Sequence, residues 1–282
     1  MEQLIPSAVL LIETNLIRNT HTVEIHVPGS VFFLYFAKLG NCLENEGVVP
    51  LNNKIFDPNM TNHTITYYHF PLSPPSRAAL LLVRALGIKH DLKIVNITNG
   101  EQNTPEFLKI NPFHTVPAID DNGFYVYDSS IIMKYLSKKY AKDDSLFPND
   151  TKKCTIVEER LYFASNYLFQ SFRDYIIPVM FGNEQPSTEK AKAFDQNLRQ
   201  LNDFLENEKW VAGTNITVAD FSIITIVSTA EAIMFDVNKY ANVSAWYKRS
   251  KEAMASFGYE EINQSGAEQF GNVFKTKLKQ FV

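Results

Sequence analysis

Cysteine is scarce in this chain of 282 residues, which holds only Cys42 and Cys154. The two form no CxxC pair, no zinc-ligand spacing and no disulfide framework, so we expect a reducing compartment, the cytoplasm, and no metal site. Long apolar runs are also lacking. The longest candidate, at 31–37, falls far short of the ~18 residues that span a bilayer. The N-terminus opens Met-Glu without a basic region, so a secretory signal is not expected either.

An excess of basic residues is absent as well. Lysine and arginine number 27 against 31 aspartates and glutamates, for a net charge of −4. Without a long basic tract the chain does not fit a nucleic-acid partner. Hydrophobic residues make up 45% of the chain, enough for sizeable cores, and the length suits two domains of ordinary size.

Three regions differ in pattern. Residues 1–64 give no clear element and end in a stretch rich in proline and asparagine, so we expect an irregular, mobile extension. Residues 65–145 alternate in the order β-α-β-α-β-β-α, with an Asp-Asn-Gly hairpin between two strands. Residues 151–282 read as helical. The predicted fold is therefore α/β plus all-α, with an irregular N-terminal extension.

The segment FPLSPPSRAALLL places Ser73 at a turn from strand to helix. Serine is a favoured N-cap and Pro74 suits the first helical position, so capping alone is the more frequent role of such a serine. The same geometry also suits chemistry. A helix N-terminus offers N–H groups and a partial positive charge that stabilise a thiolate, and a capping hydroxyl can donate to the sulfur. Ser73 would then activate a thiol that a ligand supplies.

A second local motif, ITVADF at 216–221, has the form of a capping box with a hydrophobic staple. Thr217 is expected to cap a helix, Asp220 to accept from the backbone of Thr217, and Ile216 to pack on Phe221. We assign this motif to folding rather than to catalysis.

Five motifs, in this order and spacing, carry a resemblance to a known family: SPPSRA at 73–78, GEQNTPEFLKINPFHTVPAID at 100–120, DSS at 128–130, KDDSLFP at 142–148 and ITVADFS at 216–222. Together they resemble the cytosolic glutathione S-transferases of the insect delta and epsilon classes, with the epsilon class favoured. The resemblance implies a thioredoxin-like glutathione-binding domain at 65–145, then an all-helical domain with a hydrophobic substrate pocket at 151–282. Residues 1–64 match no part of the pattern.

The resemblance also implies roles for single residues. Ser73 matches the catalytic serine, and His114 matches a histidine that contacts the glycyl end of glutathione. The peptide bond between Val116 and Pro117 is expected to be cis, so that the Val116 backbone pairs with the cysteinyl backbone of glutathione like an added strand. From the residues alone, Pro117 also suits the start of any strand.

The family binds the γ-glutamyl end of glutathione at the start of the helix that follows the predicted hairpin. By this resemblance the Asp128 carboxylate faces the ammonium group, and the N–H and hydroxyl of Ser129 face the carboxylate. Two positions depart from the family pattern: Gln102 replaces a histidine, and Ser130 replaces an arginine or histidine. Both remain candidate contacts, but Ser130 supplies no cation. A hydrogen bond to a charged group contributes roughly 1.5–3 kcal/mol, so weaker glutathione binding is expected.

The resemblance places an apolar substrate pocket along the later part of the aromatic helix that begins near Glu158. The candidate residues are Phe169, Phe172, Arg173, Ile176 and Phe181. A cation at Arg173 near the sulfur could steady negative charge, although a solvated helix face explains this residue equally well. The segment that holds Phe257, Tyr259 and Phe270 is a candidate lid, which the sequence does not place.

The expected function is transfer of glutathione to hydrophobic electrophiles in detoxification, by a homodimer that binds neither nucleic acid nor membrane. Glutathione is expected as co-substrate without a metal, and peroxide reduction or dehydrochlorination as side activities. One alternative is a carrier of a hydrophobic ligand without catalysis, favoured by the departures at Gln102 and Ser130. The other is an interaction module, which would not need residues such as Ser73 and His114.

Overall fold

The computed structural model describes residues 14–17, 20–27, 30–37 and 63–281. It divides into two compact units, 1–57 and 58–282. In the first unit, β1 (Thr14–Ile17), β2 (Thr20–Val27) and β3 (Ser30–Ala37) form an antiparallel sheet. The prediction of an irregular extension is therefore wrong for these residues. Alternation in THTVEIHV and the Pro-Gly dipeptide after it are the strand and turn signals for this hairpin. The expected mobility of the rest lies outside the described residues.

The second unit begins with a four-stranded mixed sheet of order β5-β4-β6-β7. Its strands are β4 (Ile65–His69), β5 (His90–Ile94), β6 (Ala118–Asp121) and β7 (Phe124–Tyr127). β4 pairs parallel with β5 and antiparallel with β6, and β6 pairs with β7 through the expected hairpin. Asn122 and Gly123 both have positive φ, as a type I′ turn requires.

Helices connect these strands and cover the sheet. They are α1 (Pro74–Ala85), the short α2 (Pro105–Leu108) and α3 (Ser129–Tyr140). α1 ends before Gly87, whose φ of 66° is the left-handed conformation that glycine commonly adopts after the end of a helix. This order of strands and helices confirms the predicted thioredoxin-like domain. The sequence pattern predicts the strand after α1 at Leu92–Val95, whereas it lies at His90–Ile94.

The remainder is helical, as predicted. Its helices are α4 (Thr151–Phe163), α5 (Phe169–Phe181), α6 (Thr188–Phe204), α7 (Val218–Ala232), α8 (Ala241–Met254) and α9 (Ser265–Leu278). A π-helical segment, Ala164–Leu168, joins α4 to α5. In the described part of the chain, no helix is long and apolar enough to cross a membrane. The predicted boundary between 145 and 151 stays a prediction, because residues 58–282 form one compact unit.

α7 lies at the centre of the helical region, and every residue from Val218 to Ala230 is buried. Its N-terminus carries the predicted capping box: the Asp220 carboxylate accepts from the backbone N–H of Thr217 at 2.8 Å. The same carboxylate accepts from the N–H of Val211 at 3.0 Å and from Nε1 of Trp246 at 2.8 Å. Burial nevertheless raises the pKa of Asp220 to about 6. This cap therefore joins three separate segments as well as starting a helix.

Two of the three candidate lid residues lie in the core instead, and the third, Phe257, is partly buried against it. Tyr259 is 3% exposed and Phe270, on α9, is 8% exposed. The Phe270 ring packs 6.3 Å from the ring of Phe172 on α5. α9 thus fills the space beside α5 and α7, and burial of its apolar face stabilises the helix.

Candidate functional site

The register of the sheet gathers the predicted site residues at one edge. Tyr68 pairs with Ala118, and Ala118 pairs with Tyr127. β4 ends at this edge just before the turn that holds Ser73, and β6 starts here just after Val116 and Pro117. β7 ends here just before Asp128. Because β5 runs parallel to β4, the segment that holds Gln102 leaves the same edge.

Ser73 caps α1 as the sequence predicts, with φ −85° and ψ 114°. Its Oγ accepts from the N–H of Ser76 at 3.4 Å, and its own N–H donates to the carbonyl of Phe70 at 3.0 Å. Pro74 and Pro75, the first two helical residues, have no N–H. Few free backbone donors therefore remain at this helix end, contrary to the expectation from a general helix N-terminus. The Ser73 hydroxyl hydrogen is left as the available donor, since within the described chain this oxygen only accepts.

A buried polar cluster holds the first turn of α1 on β4. His69 is 4% exposed, and its Nδ1 lies 2.8 Å from Oγ of Ser76. The Tyr67 hydroxyl donates to the carbonyl of Ser76 at 2.7 Å. Burial, aided by the charge of Arg77, lowers the pKa of His69 to about 4, so this imidazole is neutral at physiological pH. The cluster fixes the helix end that Ser73 caps.

The loop before β6 presents His114. The backbone of this exposed residue has φ 46°, and its N–H donates to the carbonyl of Asn111 at 3.0 Å. The fully buried Asn111 also donates through Nδ2 to the Thr115 carbonyl at 2.8 Å and accepts from the Phe113 N–H at 2.9 Å. Asn111 therefore shapes this loop, a role that the sequence analysis missed.

The Val116–Pro117 peptide bond is cis, as the resemblance implies. Val116 precedes the first paired residue of β6, Ala118, so its backbone lies beyond the ladder. Gln102, in a 3₁₀ turn at Glu101–Asn103, has a buried Oε1 without a hydrogen-bond partner among the described residues. Both features leave polar groups near the same edge for a ligand.

Asp128 caps α3, and its φ is 69°. Its Oδ1 accepts from the N–H groups of Ser130 and Ile131 at 2.9 and 3.1 Å, which leaves Oδ2 for another donor. Ser129 is 9% exposed, and Oγ of Ser130 is buried without a partner in the described structure.

A cavity of about 670 Å³ opens beside these residues, between the start of α3 and the α4–π segment. Its lining includes Asp128, Ser130, Ile131, Lys134, Glu158, Glu159, Tyr162, Ser165 and Asn166. Lys134 and Glu158 were not among the predicted site residues. For Lys134 the signal in the sequence is its spacing of four from Ser130, which places the two on one helix face. Glu158 has no such signal, because it comes from a different helix.

The five predicted pocket residues do not share one surface. Phe172 is fully buried against the rings of Phe194 and Phe270, and Ile176 is 5% exposed. Both belong to the core here, because the helix face they share is covered by neighbouring helices. Phe169 is half-buried, with the Arg173 guanidinium 6.0 Å from its ring. Phe181 is 65% exposed at the end of α5.

Arg173 also lines a groove of about 400 Å³ between α5 and the start of α6. The groove includes Asp174, Glu189 and Lys190, so its lining is charged rather than apolar. The structure therefore places Arg173 between an aromatic ring and a polar groove, which leaves both interpretations of this residue in place.

Comparison with known families agrees with this architecture. Residues 68–144 match the N-terminal domain of glutathione S-transferases, and residues 157–252 match the C-terminal domain. Glutathione S-transferase D7 of Anopheles gambiae is 38% identical over 218 residues, which cover 77% of this chain and all of that protein.

Solved structures lead to the same family. A delta-class glutathione transferase of Nilaparvata lugens is 43% identical with a TM-score of 0.72, covering 76% of this chain and 99% of that one. An epsilon-class enzyme of the housefly, Musca domestica, is 38% identical with the same TM-score, covering 76% and 98%. Relatives of both classes match closely, so the preference for the epsilon class stays a prediction. This chain belongs to the glutathione S-transferase family, among its insect delta- and epsilon-class members.

Proposed function

We propose that this transferase conjugates glutathione to hydrophobic electrophiles and that the Ser73 hydroxyl stabilises the glutathione thiolate. The observation that carries the proposal is the free hydroxyl donor of Ser73 at the sheet edge where Val116, Asp128 and Gln102 also gather. Among relatives of known structure, one homologue from Drosophila mojavensis holds bound glutathione.

Glutathione binds along this edge as an extended peptide. The Val116 backbone pairs with the cysteinyl residue, as an added strand pairs with a sheet edge. His114 and Gln102 take the glycyl end, where Nε2 of Gln102 donates to the glycyl carboxylate. Asp128, Ser129 and Ser130 take the γ-glutamyl end, with Oδ2 of Asp128 free to accept from its ammonium.

The bound thiol lies where the Ser73 hydroxyl donates to its sulfur. Hydrogen bonding to the anion favours the thiolate and lowers the thiol pKa. The positive end of α1 adds to this effect through its dipole rather than through N–H donors, because Pro74 and Pro75 have none. With an aryl halide, the sulfur forms a C–S bond while the halide leaves, and the thiol proton passes to solvent. Holding both reactants together lowers the barrier further.

The electrophile docks near the exposed part of α5. Phe169 and Phe181 offer apolar surface there, and Arg173 offers a cation for developing negative charge. Phe172 and Ile176 support this surface from the core. Peroxide reduction and dehydrochlorination are the side activities that the same thiolate would serve.

We place the enzyme in the cytoplasm as a homodimer. A groove of about 600 Å³ between the α4–π segment and α6 supports self-association, since Tyr162, Phe163, Tyr167 and Phe204 line it. Tyr162 and Tyr167 are 59% and 54% exposed, and exposed aromatic patches are typical of interfaces.

Replacing Ser73 with alanine tests this function. We expect conjugation of glutathione to a generic aryl halide to fall at least tenfold, and the pH profile of kcat/KM to move to higher pH. Ser187→Ala is the matched control. Oγ of Ser187 caps α6 by accepting from the N–H of Lys190 at 3.3 Å. The control variant therefore loses an equivalent cap, worth about 1 kcal/mol.

Turnover unchanged by Ser73→Ala would refute the role of Ser73 while keeping the enzyme. Absence of turnover, together with failure to bind glutathione at millimolar concentration, would favour the alternative of a hydrophobic-ligand carrier.

A further inference from the structure

The cavity of about 670 Å³ beside the start of α3 contains an ion pair that the proposed glutathione contacts do not use. Nζ of Lys134 lies 3.3 Å from Oε1 of Glu158. Lys134 comes from α3 and Glu158 from α4, so the pair crosses the cavity between two helices. Their side chains are 28% and 50% exposed.

Such a partly solvated pair contributes little to stability, about 0–1 kcal/mol. Its single long contact is also not the bidentate geometry of a strong pair. Both groups are therefore available to a ligand that offers each of them an opposite charge.

The position of Lys134 relates it to Ser130, one helical turn earlier. Side chains on a helix lean toward its N-terminus, so the lysine stem lies over the turn that holds Ser130. The Ser130 hydroxyl is buried and has no partner among the described residues. Serine at this position is short, which leaves room for the longer lysine beside the predicted γ-glutamyl contacts of Asp128 and Ser129.

The two walls of the cavity differ in charge. Lys134 brings a cation on the α3 side, and Glu158 and Glu159 bring anions on the α4 side. The γ-glutamyl end of glutathione carries one carboxylate and one ammonium on the same carbon. A split lysine–glutamate pair matches that arrangement of charges.

We propose that Lys134 and Glu158 exchange their mutual ion pair for the two charges of the γ-glutamyl end. Lys134 binds its α-carboxylate, and Glu158 binds its α-ammonium. This inference rests on the proposed function, and it gives the site the cation that Ser130 does not supply. The two residues thereby make the enzyme specific for thiol peptides with a free amino-acid terminus.

Two analogues of glutathione separate these contacts. 4-Aminobutanoyl-cysteinylglycine lacks the α-carboxylate, and glutaryl-cysteinylglycine lacks the α-ammonium. Dissociation constants are measured by calorimetry for the whole chain and for Lys134→Met, Lys134→Arg and Glu158→Gln. The control is Lys138→Met, on the same helix, where the lysine ammonium lies 5.3 Å from the centre of the Phe147 ring.

We expect Lys134→Met to weaken glutathione binding about tenfold or more. The same variant is expected to bind the analogue without the α-carboxylate as well as the unaltered protein does. Glu158→Gln is likewise expected to weaken glutathione binding, and to bind the analogue that lacks the α-ammonium as well as the unaltered protein does. Lys134→Arg keeps the cation and should bind glutathione within about threefold of the unaltered protein, as should Lys138→Met.

Equal glutathione affinity of Lys134→Met and the unaltered protein would overturn the inference alone, and the proposed function would stand. If Lys134→Met lost affinity equally for glutathione and for the analogue without the α-carboxylate, the inference would also be overturned, since that pattern marks a structural effect. Failure of the unaltered protein to bind glutathione at all would overturn both. Should Lys134→Met not fold, Glu158→Gln with the deaminated analogue decides the question in the same way.

Discussion

Gly266, in the first turn of α9, lies directly against the carbonyl oxygen of Pro71. A Cβ at position 266 would lie 2.5 Å from that oxygen and 2.6 Å from Cδ of Arg77, closer than real Cβ contacts allow. The turn that α9 supports in this way leads into Ser73 two residues later. The last long helix of the chain therefore braces the turn at which the proposed chemistry occurs.

Gly266→Ala is accordingly expected to harm both stability and activity. The added methyl group must displace backbone or the buried Arg77, and overpacking of this kind costs typically 1–3 kcal/mol. We expect a lower midpoint in urea and a fall in kcat/KM for glutathione conjugation.

Gly271→Ala separates the two effects. A Cβ there would lie 2.6 Å from the carbonyl oxygen of Ala232, an equally close contact on α7 rather than at the Ser73 turn. It should destabilise the protein without changing kcat/KM of the folded fraction. Equal loss of kcat/KM in both variants would show that α9 acts on activity only through stability.

Arg77 makes a second connection between α1 and the C-terminal region. It is fully buried, and its guanidinium donates to the carbonyl and Oδ1 of Asn263 at 2.6 and 2.7 Å and to Oγ1 of Thr229 at 2.5 Å. Since these acceptors are neutral groups, burial lowers the pKa of Arg77 to about 9. A buried cation held by neutral acceptors is sensitive to the loss of any one of them.

Asn263→Ala should therefore be strongly destabilising. Hydrogen bonds to charged groups are worth roughly 1.5–3 kcal/mol, and we expect the free energy of unfolding at pH 7 to fall by about that amount. Ser228→Ala serves as the control. It removes two bonds between neutral groups: Nδ2 of Asn263 donates to Oγ of Ser228 at 2.9 Å, and this hydroxyl donates to the Thr225 carbonyl at 3.1 Å. A loss of about 1 kcal/mol is expected, because bonds between neutral groups are the weaker kind. Equal losses would argue against a charged contact at Asn263.

Asp220 should make stability depend on pH. Its pKa is raised from the ordinary 3.8 to about 6 by burial, so the folded protein holds this proton more tightly than the unfolded chain does. The stabilisation that comes from this proton is fully present below pH 3.8 and is lost as pH rises through about 6. The difference corresponds to roughly 3 kcal/mol.

Asp220→Asn removes this titration. It also replaces an oxygen that accepts from the Thr217 N–H, so at pH 7 we expect a net loss of about 1–3 kcal/mol. The deficit of the variant should be larger at pH 4 than at pH 7, as measured by chemical unfolding at both values. A deficit that does not change with pH would contradict the raised pKa.

Phe172 and Phe169 should respond differently to truncation. Phe172→Ala removes a fully buried ring from the contacts with Phe194 and Phe270, so we expect a loss of about 3–5 kcal/mol in stability. Phe169→Ala affects a half-buried ring and should raise KM for the electrophile with a smaller effect on stability. Thermal unfolding together with steady-state kinetics on each variant measures both quantities. Comparable stability of the two variants would contradict the assignment of Phe172 to the core.

Local sequence determined much of the fold. Pro74 and Pro75 after a serine fix the start of α1, and the Asp-Asn-Gly turn fixes the hairpin at 118–127. The capping box at Thr217 and Asp220 fixes the start of α7. These signals involve residues a few positions apart, so the hydrogen bonds that they predict form within one turn or one hairpin. The family motifs added the order of the domains and the cis bond at Pro117.

Tertiary structure decided what each of these segments touches. The sequence shows that Arg77 lies on a helix. Only the fold brings it into contact with Asn263, which is 186 positions away along the chain. The fold also places Phe172 in the core rather than in the predicted pocket, and it brings Lys134 beside Glu158 at the candidate site. Local periodicity predicts that a helix face is buried but does not identify the element that covers it. That choice depends on contacts between segments far apart in sequence, which form only when the whole chain packs together.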